Sequence, residues 1–183
     1  LRVFQIPPAS RTARGRPVIN ILPLDKGEKI TAMLPVDQYT ENEFIFMVTL
    51  NGTVKKTPLM DFARQRSTGL IAIELEEGNT LVSAAITDGT RDVMLFGSGG
   101  KVIRFKESDV RAMGRTARGV RGIKLKAGQK VISLLIPDQD GLVLIASHKG
   151  YGKQSKIEEF SVIGRGGQGV IGMKTSERNG DVV

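Results

Sequence analysis

The chain has 183 residues, of which 40% are hydrophobic and 22 are Gly, and its 27 Lys and Arg against 19 Asp and Glu give a formal net charge of +8. It has no Cys, which excludes a disulfide scaffold and a thiolate metal site, and no apolar run near the roughly 18 residues that a membrane-crossing helix needs. No signal-peptide pattern or Arg-rich leader is visible, so a cytoplasmic location is expected.

From the N terminus, residues 1–40 open with Arg2, Arg11, Arg14 and Arg16, with no acid in the first 16 positions. A basic loop at Arg11–Gly15 is followed by a turn at Asp25–Gly27 and an apolar stretch, Ile30–Val36, that reads as a strand. Residues 41–90 begin with the apolar run Phe44–Leu50, turn at Asn51-Gly52, a hairpin signal, and return through a segment carrying Lys55 and Lys56. A basic loop with Arg64, Arg66 and Gly69, a turn at Glu76–Gly78 and the apolar stretch Leu81–Ile86 complete this unit. Residues 91–140 repeat the order: Val93–Phe96, the turn Gly99-Gly100, a segment with Lys101, Arg104 and Lys106, the loop Arg115–Gly119 with Arg118 and then Arg121, a turn at Lys126–Gly128, and Val131–Ile136. Residues 141–183 give Leu142–Ala146, the turn Lys149-Gly150, Tyr151, Lys153 and the loop Arg165–Gly169.

The loop glycines Gly15, Gly69, Gly119 and Gly169 are 54, 50 and 50 residues apart. A period of this length signals a propeller or solenoid. The chain is therefore expected to be all-β, each unit reading strand, tight turn, strand, long basic loop, strand, Gly turn, strand. The core falls to Val, Ile, Leu and Phe, because Trp is absent and only two Tyr are present. The repeat does not close at either end, so a piece of a longer chain is expected, holding about four blades of a propeller-like ring.

Charge follows the repeat. Residues 101–124 hold eight cations and two acids, whereas residues 74–92 hold five acids against Arg91, although Lys126 and Lys130 interrupt the acidic phase of the third unit. Segregation in phase with a repeat concentrates positive potential on one rim, whose partner is a polyanion. Gly15, Gly119, Gly166, Gly167 and Gly169 would let a phosphate approach the loop backbone. Phe44, Phe46, Phe96 and Phe105 lie inside apolar runs and are expected in the core, which leaves Tyr151 as the one aromatic expected at the surface. Stacking on single strands is thus disfavoured, and no amphipathic helix is available to read a major groove. Sequence-tolerant contact with a duplex backbone fits best. A propeller that binds an acidic protein or another polyanion is the rival from a different class.

Three motifs resemble catalytic or nucleotide sites and are set aside. Gly164–Gly169 matches G-x-G-x-x-G, but a strand-like segment follows it where a dinucleotide site needs a helix. Gly97–Lys101 resembles a phosphate loop, yet Leu95 and Val102 stand where Gly and Ser or Thr belong, so it reads as a hairpin turn. His148, the sole histidine, has no Cys to pair with. No catalytic residue and no metal site is assigned.

The runs Gln5–Pro17, Asn51–Thr57, Val102–Ser108, Arg111–Gly114, Gly119–Gly122, Gly150–Lys153 and Thr175–Gly180 together resemble the C-terminal domain of the DNA gyrase A subunit. The resemblance covers essentially the whole chain. It implies a β-pinwheel, a propeller-like disc whose neighbouring blades exchange strands, in a bacterial type II topoisomerase. In that family the disc bends duplex DNA around its basic rim and biases strand passage toward negative supercoils. By this resemblance the partners are double-stranded DNA, the rest of the gyrase A subunit and the gyrase B subunit, with no membrane. ATP and Mg2+ are implied for the full enzyme and none for this chain. The family's Q-R-R-G-G-K-G box finds its nearest counterpart in Ile163–Gly169, matching at Arg165, Gly166, Gly167 and Gly169, which puts the intact box ahead of Leu1. The equivalent domain of topoisomerase IV, which steers substrate choice, is the nearest alternative. Arg11, Arg14, Arg16, Arg64, Arg66, Arg115, Arg118, Arg121 and Arg165 are expected to meet phosphates from the loops. Lys55, Lys56, Lys101, Arg104, Lys106 and Lys153 would extend the track.

Overall fold

The computed structural model describes residues 1–138 and 140–183. Ten strands follow in chain order: β1 (Phe44–Thr49), β2 (Thr53–Pro58), β3 (Leu81–Thr87), β4 (Asp92–Gly97), β5 (Lys101–Lys106), β6 (Val120–Arg121), β7 (Val131–Leu135), β8 (Leu142–Ala146), β9 (Gly152–Lys156) and β10 (Val170–Ile171). The only helical segments among the described residues are 3-10 turns of three or four residues. The fold is all-β, as the sequence predicts.

Each predicted hairpin forms where an apolar run meets a Gly turn. β1 pairs antiparallel with β2 from Phe44 opposite Pro58 to Val48 opposite Val54, β4 with β5, and β8 with β9. Gly52, Gly100 and Gly150 take positive φ in the three turns, a conformation that glycine adopts without steric cost. The strand after each acidic or polar Gly turn then adds to its own unit's hairpin, β3 to β1 and β7 to β4.

The remaining strand of each sheet comes from the next unit. β6 pairs with β2 and β10 with β5, so the two four-stranded sheets run β3-β1-β2-β6 and β10-β5-β4-β7. Backbone bonds continue past both crossings: Gly122 N–H donates to Gly52 O at 2.8 Å, and fifty residues on Gly172 N–H donates to Gly100 O at 2.9 Å. This exchange needs a chain without a Cβ at the point of crossing. A methyl group on Gly119, at φ +104°, would stand 2.5 Å from Val54 O, and one on Gly169, at φ +71°, would stand closer still to Val102 O.

Two cores lie between successive units. Phe46, Val48 and Val54 of the second unit meet Val93, Leu95, Ile103, Phe105 and Val110 of the third. Met94, Phe96 and Val102 of the third meet Val143, Ile145, Ile157 and Phe160 of the fourth. β4 therefore sends alternate residues into different cores, which is why Val93–Phe96 is a continuous apolar run and not alternating. β8 has a neighbour on one face only: Val143 and Ile145 are buried, while Leu142 and Leu144 are 57% and 72% exposed.

The first unit departs from expectation. Ile30–Val36 forms no strand, and Ile30 and Met33 are exposed. β3 and β7 each pair with a hairpin of their own unit, and the described chain supplies no hairpin ahead of residue 30. Leu70-Ile71, in the phase of β6 and β10, is likewise unpaired, with no earlier sheet among the described residues to receive it.

The crossing geometry yields a direct expectation. Gly119→Ala and Gly169→Ala should each destabilise the chain by roughly 2 kcal/mol or more, since both need positive φ and both meet carbonyl backbone. Gly114→Ala, with open space around it and no positive φ, should change stability by less than about 0.5 kcal/mol. Urea denaturation of the three variants measures the difference.

Candidate nucleic-acid interface

The basic loops of the second, third and fourth units lie edge to edge. Glu74 N–H donates to Ala117 O at 3.4 Å, and at the next boundary Lys124 N–H donates to Gly167 O at 2.8 Å and Gly166 N–H to Gly122 O at 2.6 Å. The loops form a belt across three units, each held by backbone bonds to its neighbour. Residues 1–40 make no such bond to the belt among the described residues.

The belt carries Arg64, Arg66, Arg118, Arg121 and Arg165, all exposed, and the half-buried Arg115. Arg11, Arg14 and Arg16 are exposed in the first unit, and Lys153 is exposed on β9. Lys101 is half-buried on β5, and Lys106 is exposed with its ammonium 2.6 Å from Asp92.

Two of the belt arginines also tie loops together. Arg118 grips one oxygen of Glu74 through Nε and Nη2, at 3.0 and 2.9 Å, and that carboxylate raises its already high pKa. Arg165 donates from Nε to Asp109 O at 2.9 Å and from Nη1 to Arg121 O at 3.0 Å. The sequence groups Glu74 with acids on the far side of the repeat. The structure sets it against the basic belt instead, because the backbone bond to Ala117 draws the two loops together.

Three expected track residues are withdrawn into the protein. Lys55 is fully buried on β2 and donates from Nζ to Ala72 O at 2.6 Å and to Arg115 O. Lys56 is 6% exposed, donates to Glu107 O at 3.2 Å and lies 5.0 Å from the centre of the Phe44 ring. Both lie on a strand paired along each edge, with the loops at Ala72 and Arg115 over one face and Glu107 over the other, so neither side chain reaches solvent. Arg104 is paired with Asp92 at 2.6 Å and donates to Ile157 O and Phe160 O. Gly119 and Gly169 are likewise turned inward, against the preceding sheet, and serve strand exchange in place of phosphate approach. Gly15 stands in open space, and a methyl group on Gly166 or Gly167 would meet nothing nearer than 3.5 Å, although Gly166 N–H and Gly167 O are already bonded to the neighbouring loop.

The electrostatics of the interior follow from these contacts. Burial pushes the Lys55 ammonium down to about 8, Arg115 adds to that shift and Asp61 opposes it. Burial works to raise the Asp92 carboxyl, but hydrogen bonds from Lys106 and Arg104 outweigh it and hold the group below its usual range. No group of three or more His, Cys, Asp or Glu converges on a metal-sized site among the described residues. Gly97–Lys101 is the turn between β4 and β5, and the segment after Gly169 is β10, not a helix. Phe46, Phe96 and Phe105 are buried as read from the sequence, but Phe44 is only half-buried, and Tyr151, 41% exposed, shares the surface with Phe4, which is 80% exposed in a segment that packs into no sheet.

A family model described as "DNA gyrase C-terminal domain, beta-propeller" matches residues 1–37, 43–88, 91–138 and 141–183. The chain belongs to this family. It is 57% identical over 122 residues to the DNA gyrase A subunit of Klebsiella oxytoca and 52% identical over 165 residues to that of Pseudomonas aeruginosa. Each match takes in 67% of the chain but only 14% and 18% of the relative, so the chain spans a small part of those proteins. Among solved structures, the C-terminal domain of DNA topoisomerase IV superposes with a TM-score of 0.85 at 32% identity, covering 92% of this chain and 53% of that one. The DNA gyrase A C-terminal domain gives 0.82 at 26%, covering 93% and 57%. The pinwheel architecture of the gyrase family, with its exchanged strands, is thus the fold of this chain.

Within this family member the Asp92 cluster makes a test of what holds the third blade to the fourth. Asp92→Asn should cost about 3 kcal/mol at pH 7, because it leaves Arg104 without its counter-ion in a nearly dry site. With its folded pKa depressed, Asp92 contributes stability above its unfolded value near 3.8 and loses it as pH falls through the folded value. The gap between wild type and variant in urea denaturation should therefore narrow below about pH 4.

Proposed function

We propose that this chain binds duplex DNA along its belt of basic loops and bends it with little regard to sequence, as the DNA-wrapping part of a bacterial DNA gyrase A subunit. The observation that carries the reading is the belt itself: three loops fixed to one another by backbone bonds, with exposed arginines on each. Such an array presents cations at fixed spacing to a polyphosphate, which gains affinity through counterion release without reading bases. The burial of Phe46, Phe96, Phe105 and Phe160, which leaves no aromatic exposed on the belt's strands, and the absence of any α-helix among the described residues support backbone contact over base stacking or groove reading. In this reading Arg64, Arg66, Arg115 and Arg121 meet phosphates, Arg118 and Arg165 both tie loops and add charge, and Lys153 with Arg11, Arg14 and Arg16 lengthens the track. Negative supercoiling, ATP hydrolysis and Mg2+ belong to the assembled enzyme with its gyrase B partner, and this chain contributes no catalytic group. The location is the bacterial cytoplasm.

The 32% identity to a topoisomerase IV C-terminal domain favours one second reading, a disc that steers substrate choice. The 52–57% identity to gyrase A subunits supports the first.

Electrophoretic shift and ring-closure assays on mixed-sequence duplexes test the proposal. If six to ten phosphates are engaged, affinity should fall by roughly a thousandfold or more between 50 and 200 mM salt. A flat salt response, or strong preference for one sequence, would exclude the belt as a phosphate track. Reversing Arg66, Arg115 and Arg121 to Glu should make the log–log salt slope shallower by about 3 and reduce ring closure. The same reversal at Lys26, Lys29 and Arg91, outside the belt, should alter the slope far less; equal losses would show that net charge alone drives binding.

A further inference from the structure

Lys55 is a buried cation that the phosphate track does not use. Its ammonium reaches two carbonyls on different units, Ala72 O at 2.6 Å in the second-unit loop and Arg115 O in the third-unit loop. The next boundary is built differently. There Gly122, fifty residues after Ala72, accepts from Gly166 N–H at 2.6 Å, and Arg165, fifty residues after Arg115, donates its guanidinium to Asp109 O and Arg121 O. The residue of β5 that stands where Lys55 stands on β2, one past Val102 as Lys55 is one past Val54, is Ile103, a core residue with no donor to offer. Thus at one boundary Arg165 folds back to fasten the belt, and at the other a lysine fastens it from beneath, alongside the Arg118–Glu74 pair at the surface. The Arg115 side chain makes no hydrogen bond among the described residues, in contrast to Arg165.

We propose that Lys55 is a positioning residue of the belt, whose buried ammonium ties the second and third loops together and so leaves the Arg115 guanidinium free to face an anionic ligand. Under the DNA reading, on which the identity of that ligand rests, Arg115 is then the belt arginine most dependent on a residue the ligand never touches. The neighbouring charges are Arg115, which repels the ammonium, and Asp61, which attracts it. Burial, with these charges, brings the Lys55 proton equilibrium to about 8, so the tie weakens at mildly alkaline pH.

The test is a double-mutant cycle on duplex affinity with Lys55→Met, Arg115→Gln and the pair, alongside a control cycle of Lys55→Met with Lys153→Gln. Arg115→Gln should cost about tenfold with Lys55 present and less than about twofold in the Lys55→Met background, whereas Lys153→Gln should cost the same in both. Equal costs of Arg115→Gln in the two backgrounds would overturn the proposal. If Lys55→Met does not fold, pH profiles of wild type and Arg115→Gln between pH 6.5 and 9.5 decide it: wild type should lose about threefold more affinity across pH 8, and parallel profiles would refute it. Should the wild-type chain bind no duplex, the DNA reading fails by itself. The tie is then judged by hydrogen exchange, where Lys55→Met should speed residues 70–76 and 112–119 by about tenfold but not β4 or β5. Unchanged exchange in those loops would remove the proposal.

Discussion

The structure depends on a very short antiparallel pairing, two residues of one unit laid against the outer strand of the unit before. Val120-Arg121 on β2 and Val170-Ile171 on β5 convert three-stranded units into four-stranded sheets. They also carry the long loops of the third and fourth units back across the boundary, so each of these loops ends at a fixed point on the unit before. The pairing contributes few hydrogen bonds of its own. Its effect is geometric: it fixes the register between units, and the belt of loops inherits that register.

The same constraint decides where charge can go. Paired on both edges and covered by loops on each face, β2 has no solvent face, so its lysines turn inward to find carbonyls and Glu107. Glu107 in turn accepts from the Thr87 hydroxyl and from Arg91 N–H, which gives the buried carboxylate partners from both sides of the boundary. Burying such groups does little for net stability compared with apolar packing, but losing one partner strands the other in a dry site. Inter-unit contacts in this fold are therefore partly ionic below the rim and apolar in the core. The surface cations divide into those that fasten loops and those left to face outward.

Much of this was legible in the residues because it is local. Asn51-Gly52 and Gly99-Gly100 declare tight turns, the runs Phe44–Leu50 and Val93–Phe96 declare strands, and the fifty-residue return of Arg and Gly declares the repeat. The exchange of Val120-Arg121 was not readable from periodicity, since two residues have no pattern; it entered only through resemblance to a family. Gly119 illustrates the difference. A loop glycine beside arginines suggests an opening for phosphate, and only the approach of Val54 O reveals that the space is already taken by protein. Lys55 and Lys56 failed for a related reason: Thr53–Pro58 reads as a polar, solvent-facing return strand until its second edge is covered by a segment over sixty residues away. A sharper signal was present in the pairing itself, because Lys56 stands opposite Phe46, a residue expected in the core.

The exchanged strand also sets an order of events during synthesis. β2 ends at Pro58, but the segment that completes its sheet begins at Val120, and β5, ending at Lys106, must await Val170. At translation rates of about 5–20 residues per second, each blade remains one strand short for roughly 3–12 s after its hairpin has emerged. During that interval β2 or β5 is an open edge bearing unpaired backbone, the kind of edge that recruits a strand from another chain. The polar Thr53–Pro58, with two lysines and a terminal proline, is well suited to wait. β4, apolar over Val93–Phe96, has its second edge open for a shorter time, until β7 arrives.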